Sequence, residues 1–417
     1  MAYDLIIRSA RLADGIRDIA VADGRIAALV PGLALGLALG LAPDEAAAVV
    51  DAQGRFVSPG LVEAHFHLDK ALILDRCAPP KDRRTRDHMQ RTAAIKHTFT
   101  VEDIYARARA VLGGCLLNGV THMRTQVEVD PNVGLRGWEA IERLARDYAW
   151  AIDLQACVFL QEGWTNVPGA EANVVAALEQ GARVVGGAPR YDTDRPGQIE
   201  RIFALAREYD ADIDIHLDGG HTTDDLDIWQ VCDLTDRIGW GGRVAIGHGS
   251  KYSCLPDADL AALGRRLAES GVAVAVLPAT DLFNNGRHME HSVIRGVADA
   301  NALIAAGANC AISTNNVMNP FTPFGDCSLV RIVNMYANVV QRGTDDDLAV
   351  CFEMITDRAA RIIGAKDYGL QVGNPADLVL WNAQSSAEVI ARIAQPLAAF
   401  KRGRRLFACE MPELLRQ

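Results

Sequence analysis

The chain has no cysteine pattern that would support a disulfide framework. Its nine cysteines are scattered, with no CxxC pair and an odd total. They read as reduced, mostly buried thiols in a cytoplasmic protein. Positive charge is also short: 42 Lys and Arg against 53 Asp and Glu leave a formal −11, so neither nucleic acid nor an anionic membrane is expected as a partner. No segment approaches the ~18 uninterrupted apolar residues of a membrane span. The nearest, LVPGLALGLALGLAP at 29–43, is broken by Gly and Pro and reads as a low-complexity surface loop or hairpin tip. The opening MAYDLIIRSARLADG has an acid at position 4 and strand-like alternation, so no secretory signal is expected. VGGAP and GWGGR lack the strand-to-helix context of a dinucleotide site, and there is no Walker sequence and no GxSxG elbow.

What is present is length and apolar content. At 417 residues, 49% of them hydrophobic, the chain can fill a large domain with a smaller companion. Residues 4–57 read as short strands, with an ADGR hairpin signal between alternating runs. The same texture returns in ADLVLWNA (376–383) and LAAFKRGRRLFA (397–408). Between these ends, eight β-branched runs alternate with amphipathic segments: 60–67, 119–130, 151–161, 182–189, 211–218, 243–249, 272–281 and 309–316. The expected fold is therefore α/β, a (β/α)8 TIM barrel over 58–369 with a small β-sandwich built from 1–57 plus 370–417.

In such barrels the chemistry collects at the C-terminal ends of the strands, and here those ends are polar. They carry His65 and His67, Gln126 and Glu128, Gln161, His216 and Asp218, His248, Asp281, and Asn315 with Asn316. Residues two apart in a strand face the same side, so His65 and His67 converge on the barrel axis. Alone, an HxH pair is equally a hydrogen-bonded packing pair. With His216 and His248 on later strand ends, a divalent transition metal is the better reading.

The chain resembles the amidohydrolase superfamily, in its cytosine deaminase-like branch. The segments that carry the resemblance are YDLIIRSARLADG, SPGLVEAHFHLDK, RTQVEVD, DLQACVFLQEG, ARVVGGAP, DIDIHLD, VAIGHGS, FTPFGD and YGLQVGNPADLVLWNA. The resemblance implies a metal centre that activates water, with His65, His67 and His216 as ligands. It also implies that His248 holds the water and Gln161 contacts the substrate's amide edge, and it implies a dimer or larger assembly. The fourth strand offers VVGGAP without a lysine, so one divalent ion (Zn, Fe or Mn) is expected.

Two positions depart from the branch. Gly219, in HLDG, stands where a glutamate shuttles protons to the ring, and Asn315, in TNNV, stands where an aspartate binds metal and takes a proton. Asn316 replaces its neighbour. An asparagine has no basic lone pair near neutral pH. Asp218 is the first choice for a displaced base, the alternative being a structural partner of His216 or Lys251. Asp281 is a second choice, or else a cap of the following turn. Lys70 either pairs with Asp69 at the barrel mouth or holds an anionic substrate group, and Arg124 and Glu162 read as internal ion pairs. The expected activity is hydrolysis of a non-peptide C–N bond in a small cyclic amide, amidine or aminated heterocycle. A non-hydrolytic barrel that binds a small molecule, or an isomerase or lyase, is the alternative.

Overall fold

Strands β1 (Leu5–Leu12), β2 (Gly15–Ala22) and β3 (Arg25–Pro31) form an antiparallel meander that β4 (Val49–Asp51) extends. The ADGR signal is the β2–β3 turn. Asp23 and Gly24 both adopt left-handed backbone, with φ of 51° and 72°, the twist a two-residue hairpin requires. These elements come from a computed structural model that describes residues 3–31 and 46–409. Of the segment 29–43, only Leu29–Pro31 is described, as the end of β3; the loop expected beyond it lies outside the described residues.

Strand β5 (Val57–Pro59) leaves this sheet and pairs with β14 (Leu378–Trp381), which continues into β15 (Pro396–Lys401) and β16 (Arg404–Ala408). Leu5, Ile7, Ile19 and Val21 of one sheet share a buried core with Val57, Leu378, Leu380 and Phe400 of the other. Alternation along each strand puts these apolar side chains on one face, so the two ends of the chain are joined by burial in a single small sandwich.

Between them runs an eight-stranded parallel sheet in chain order: β6 (Leu61–Phe66), β7 (Val120–Glu128), β8 (Asp153–Phe159), β9 (Val184–Val185), β10 (Asp212–Leu217), β11 (Val244–His248), β12 (Val272–Val276) and β13 (Cys310–Ile312). The ring closes between its first and last strands. Phe66 bridges Asn315, the His67 amide donates to the Asn315 carbonyl at 2.8 Å, and Ser313 Oγ accepts from Ala64 N at 2.9 Å. Near the axis the side chains are small. Ala64, Ala245, Ala273 and Ala311 cluster with Ala359, Ala360 and Ile362 of the helix Asp357–Ile362.

Three of the eight runs are much shorter than their sequences suggest, the eighth being only Cys310–Ile312. The fourth is only Val184–Val185, because Gly186 passes so close to the Asp214 carbonyl that a Cβ would sit 2.0 Å from its oxygen. The seventh stops at Val276, since Pro278 opens a helix over Pro278–Asn284. Asp281 therefore sits in that helix and does not end a strand. No helix among the described residues is long and apolar enough to cross a membrane.

Candidate metal centre and pocket

Parity along β6 places His65 and His67 on one face, and both are fully buried. His216, at the end of β10, meets them: its Nε2 lies 3.1 Å from His65 Nε2 and 3.1 Å from His67 Nε2. One nitrogen cannot satisfy both contacts as hydrogen bonds unless it or they are protonated. His65 Nδ1 faces Asp214 Oδ1 at 3.0 Å, which fixes the proton on Nδ1 and leaves Nε2 bare. Burial lowers the His65 pKa against the pull of Asp214, and burial followed by Lys70 holds His67 well below its usual range. Burial followed by His65 does the same for His216. The result is three neutral imidazoles whose Nε2 atoms meet at one point, a donor set that fits a divalent transition ion. The three form a group able to hold a metal.

The support around these ligands is built in. Asp214 shares the inward face of β10 with His216 and is also 3.3 Å from Arg124 Nη1. Burial pushes its carboxyl up, but His65 and Arg124 bring it net below the ordinary value. Gly247 leaves room for the ligand ring, since a Cβ there would sit 2.5 Å from His65 Cε1. Asp214 was missed in the sequence, although the alternation of DIDIH already placed it beside His216.

Beside the histidines lies a cleft of about 600 Å³, mouth included. His67, His216, His248, Gln161, Lys70, Asp281, Asn315 and Asn316 all line it. Three residues that follow or end strands, Asp218, His248 and Asn315, have left-handed backbone with φ of 48°, 82° and 66°. Non-glycine residues avoid this region unless the surroundings impose it. At Asp218 the turn reverses strand parity and takes the side chain away from the cleft. Its Oδ1 accepts from Asp227 N at 2.9 Å, and its Oδ2 accepts from Tyr252 OH at 2.9 Å and Ile228 N at 3.2 Å. Burial raises its carboxyl to about 6, yet every oxygen is occupied and it does not line the cleft. The first choice of base from sequence is thus corrected to a loop anchor, and its partner is neither His216 nor the Lys251 side chain, which pairs with Asp225 at 2.5 Å.

Asp281 occupies the position that Asp218 does not. Its Oδ1 meets His248 Nδ1 at 2.7 Å, and its Oδ2 is buried with no partner. Asn315 donates through Nδ2 to Thr280 Oγ1 at 2.9 Å, and its Oδ1 is also buried without a partner. Asn316 Oδ1 accepts from Asn319 Nδ2 at 2.7 Å. Lys70 pairs with Glu128 at 2.5 Å rather than with Asp69, lies 4.2 Å above the Phe321 ring and donates to Gln161 Oε1 at 3.1 Å. An ammonium only donates, so Gln161 must turn its oxygen to Lys70, which frees its NH2 for the cleft. Arg124 is an internal ion-pair residue, as read, and Glu162 joins Lys96 at 2.8 Å. The sequence reading missed Arg86, His88, Arg190, Tyr191 and Phe321, which complete the wall; all lie in connecting segments with no periodic signal.

A parallel eight-stranded barrel with histidine donors at its mouth defines the class, and comparison gives the family. The chain belongs to the amidohydrolase family, whose model matches residues 84–399. It is 28% identical over 415 residues to N-isopropylammelide isopropyl amidohydrolase of Pseudomonas sp. (strain ADP), covering 96% of both chains. It is 25% identical to the pterin deaminase of Rhizobium rhizogenes (strain K84 / ATCC BAA-868), covering 93% of this chain and 87% of that one. Among solved structures, 5-methylcytosine deaminase from Klebsiella pneumoniae with 5-fluorocytosine superimposes with a TM-score of 0.91 at 27% identity, covering 99% of each chain. The protein is accordingly an amidohydrolase, an enzyme of non-peptide carbon–nitrogen bonds and, like its family, metal-dependent.

Proposed function

We propose that this protein hydrolyses the C–N bond of a small cyclic amide, amidine or aminated heterocycle, with one zinc, iron or manganese ion held by His65, His67 and His216. The observation that carries this reading is the convergence of three imidazole Nε2 atoms beside a cleft lined by Gln161 and the His248–Asp281 pair. When bound, the ion supplies Lewis acidity that makes water nucleophilic near neutral pH.

The chain's own groups supply the rest. His248, fixed through Nδ1 by Asp281, offers Nε2 to orient the attacking water. Asp281, whose Oδ2 has no partner, takes the proton that Asn315 cannot and returns it to the departing amine. Asn315 and Asn316 shape the floor through Thr280, and the Gln161 NH2 donates to a substrate carbonyl or ring nitrogen. The C–N bond breaks, a C–O bond to the water oxygen forms, and ammonia or an amine leaves. We assign the chemistry to residues 58–369, with 1–57 and 370–417 as the companion sandwich, in a cytoplasmic homo-oligomer.

The test is metal content of the purified chain after supplementation, together with ammonia release from a panel of cyclic amides and aminated heterocycles. About one ion per chain and turnover of at least one ring are expected. Well-folded protein that takes up no metal would leave the non-hydrolytic barrel as the reading.

A further inference from the structure

Most arginines of this chain that reach a pocket or core meet a carboxylate: Arg107 with Asp103, Arg124 with Asp214, Arg195 with Asp225 and Asp227. Two that line the cleft do not. Arg190 Nη1 donates to the Gly219 carbonyl at 2.6 Å, and Arg86 has a buried Nε with no partner at all. Among the described residues neither has an acid within 4.0 Å. Among the described residues Asp281 is the only carboxylate lining the cleft; it attracts Arg86 from beyond ion-pair distance, and its bonded oxygen belongs to His248. Lys70, the third cation there, is already matched by Glu128.

The half-buried Arg86 and the exposed Arg190 meet at the mouth of the cleft and repel each other; burial first and Arg190 second outweigh the pull of Tyr191 and Asp281 and push Arg86 down to about 10. The same surroundings force His88 down to about 3, burial first and then Arg86 and Arg190. A chain with a formal charge of −11 had acids available to neutralise this wall and leaves it positive. Gly219 adds a second feature. A Cβ there would meet only Arg190 Nη1, at 3.4 Å, so the space in front of that guanidinium is open and bounded by backbone.

We infer that the cleft is built for an anionic substrate: a small nitrogen heterocycle carrying a carboxylate, gripped by Arg86 and Arg190 in front of Gly219. This rests on the hydrolase reading for the ring's other end, where the leaving amine faces the histidines. A planar carboxylate accepts paired hydrogen bonds from guanidinium and supplies the charge that the wall lacks.

The test uses the full-length, metal-loaded protein and two sets of probes. Uracil and its 5- and 6-carboxylates, which have no amine to lose, report binding by calorimetry; cytosine and the matching carboxylates report ammonia release. At least one acid is expected to bind about 10-fold or more tightly than uracil, with a preference that weakens as salt rises. Arg86→Gln and Arg190→Gln should each cut that acid-to-neutral ratio by about 10-fold. Gly219→Glu, which adds a side chain in open space and so does not rely on a deletion, should cut it too by supplying the missing carboxylate. Equal binding of neutral and acidic rings, or a ratio untouched by all three substitutions, overturns the inference. Acid binding without ammonia release from any ring would sink the hydrolase reading and leave the anion site standing. Release from cytosine at the kcat/KM of its carboxylates would do the reverse.

Discussion

Two clusters of the same residue types sit at opposite ends of the barrel, and they differ in what is left over. At the N-terminal end, His122, Asp153 and Asp377 could hold a metal by proximity alone. Lys401 already stands there, its Nζ donating to Asp153 and Asp377 at 2.7 Å each and to the Thr121 carbonyl at 3.2 Å. His122 spends Nδ1 on Thr121 Oγ1 at 2.9 Å and faces Asp153 with Nε2 at 3.3 Å. At the C-terminal end, His67 Nδ1, His216 Nδ1, Asp281 Oδ2, Asn315 Oδ1 and Arg86 Nε are all buried without partners. Buried polar groups are normally satisfied, so the first cluster is finished as structure, and the second holds capacity for something that arrives later.

The largest expected difference is chemical. His216→Ala should abolish both bound divalent metal and ammonia release, measured by elemental analysis and a coupled assay, whereas His122→Ala should leave metal content unchanged. Retained metal in His216→Ala would erase the distinction between the two ends. Next comes the proton path. Asp281→Asn should lower kcat by about 10²–10⁴-fold with metal still bound. Asp218→Ala should keep turnover and instead lose about 1–3 kcal/mol of stability, because two backbone amides and the Tyr252 hydroxyl lose their acceptor. If Asp218→Ala abolished kcat in folded protein, the base would have been assigned to the wrong residue.

This pair also shows what a sequence can and cannot reveal. The barrel was legible because eight apolar runs kept their spacing, and the meeting of His65, His67 and His216 was legible because strand parity holds through His216 in β10 and one residue beyond the end of β6 at His67. After β10 parity fails at once. Asp218 lies two residues past His216, but its left-handed backbone turns it into the loop, and no residue type announces that turn. The sequence puts Asp281 at the end of an apolar run, but Pro278 ends that strand first and starts the helix that carries it. Arg86 and Arg190 had no signal of their own, because their meeting depends on how two connecting segments fold over the cleft.

At the finished end, effects should appear in stability and not in turnover. Lys401→Met removes the cation between Asp153 and Asp377 and should cost about 3 kcal/mol, read from urea midpoints near pH 7. Half-exposed Asp153 is partly relieved by water, which keeps the loss at the low end for a buried pair. A neutral result would mean that the cluster contributes nothing to holding the sandwich on the barrel.

The smallest effect sharpens the contrast through pH. The carboxylates at 3.3 and 3.6 Å favour the His122 imidazolium, but burial first and Lys401 second outweigh them and lower its pKa to about 4. The unfolded chain, with histidine near ~6.5, therefore binds more protons than the folded one between these values. Stability from this group is complete above the unfolded value and declines as pH falls toward 4. A shift of this size corresponds to about 2–3 kcal/mol across the window. His122→Gln, which keeps hydrogen-bonding capacity without a titrating ring, should flatten that part of the curve. Urea midpoints of metal-free wild type and variant from pH 4 to 7 provide the measurement, since chelation removes any contribution from metal loss at the other end. Parallel curves would show that His122 titrates alike in the folded and unfolded chain, so that the two carboxylates offset burial and Lys401.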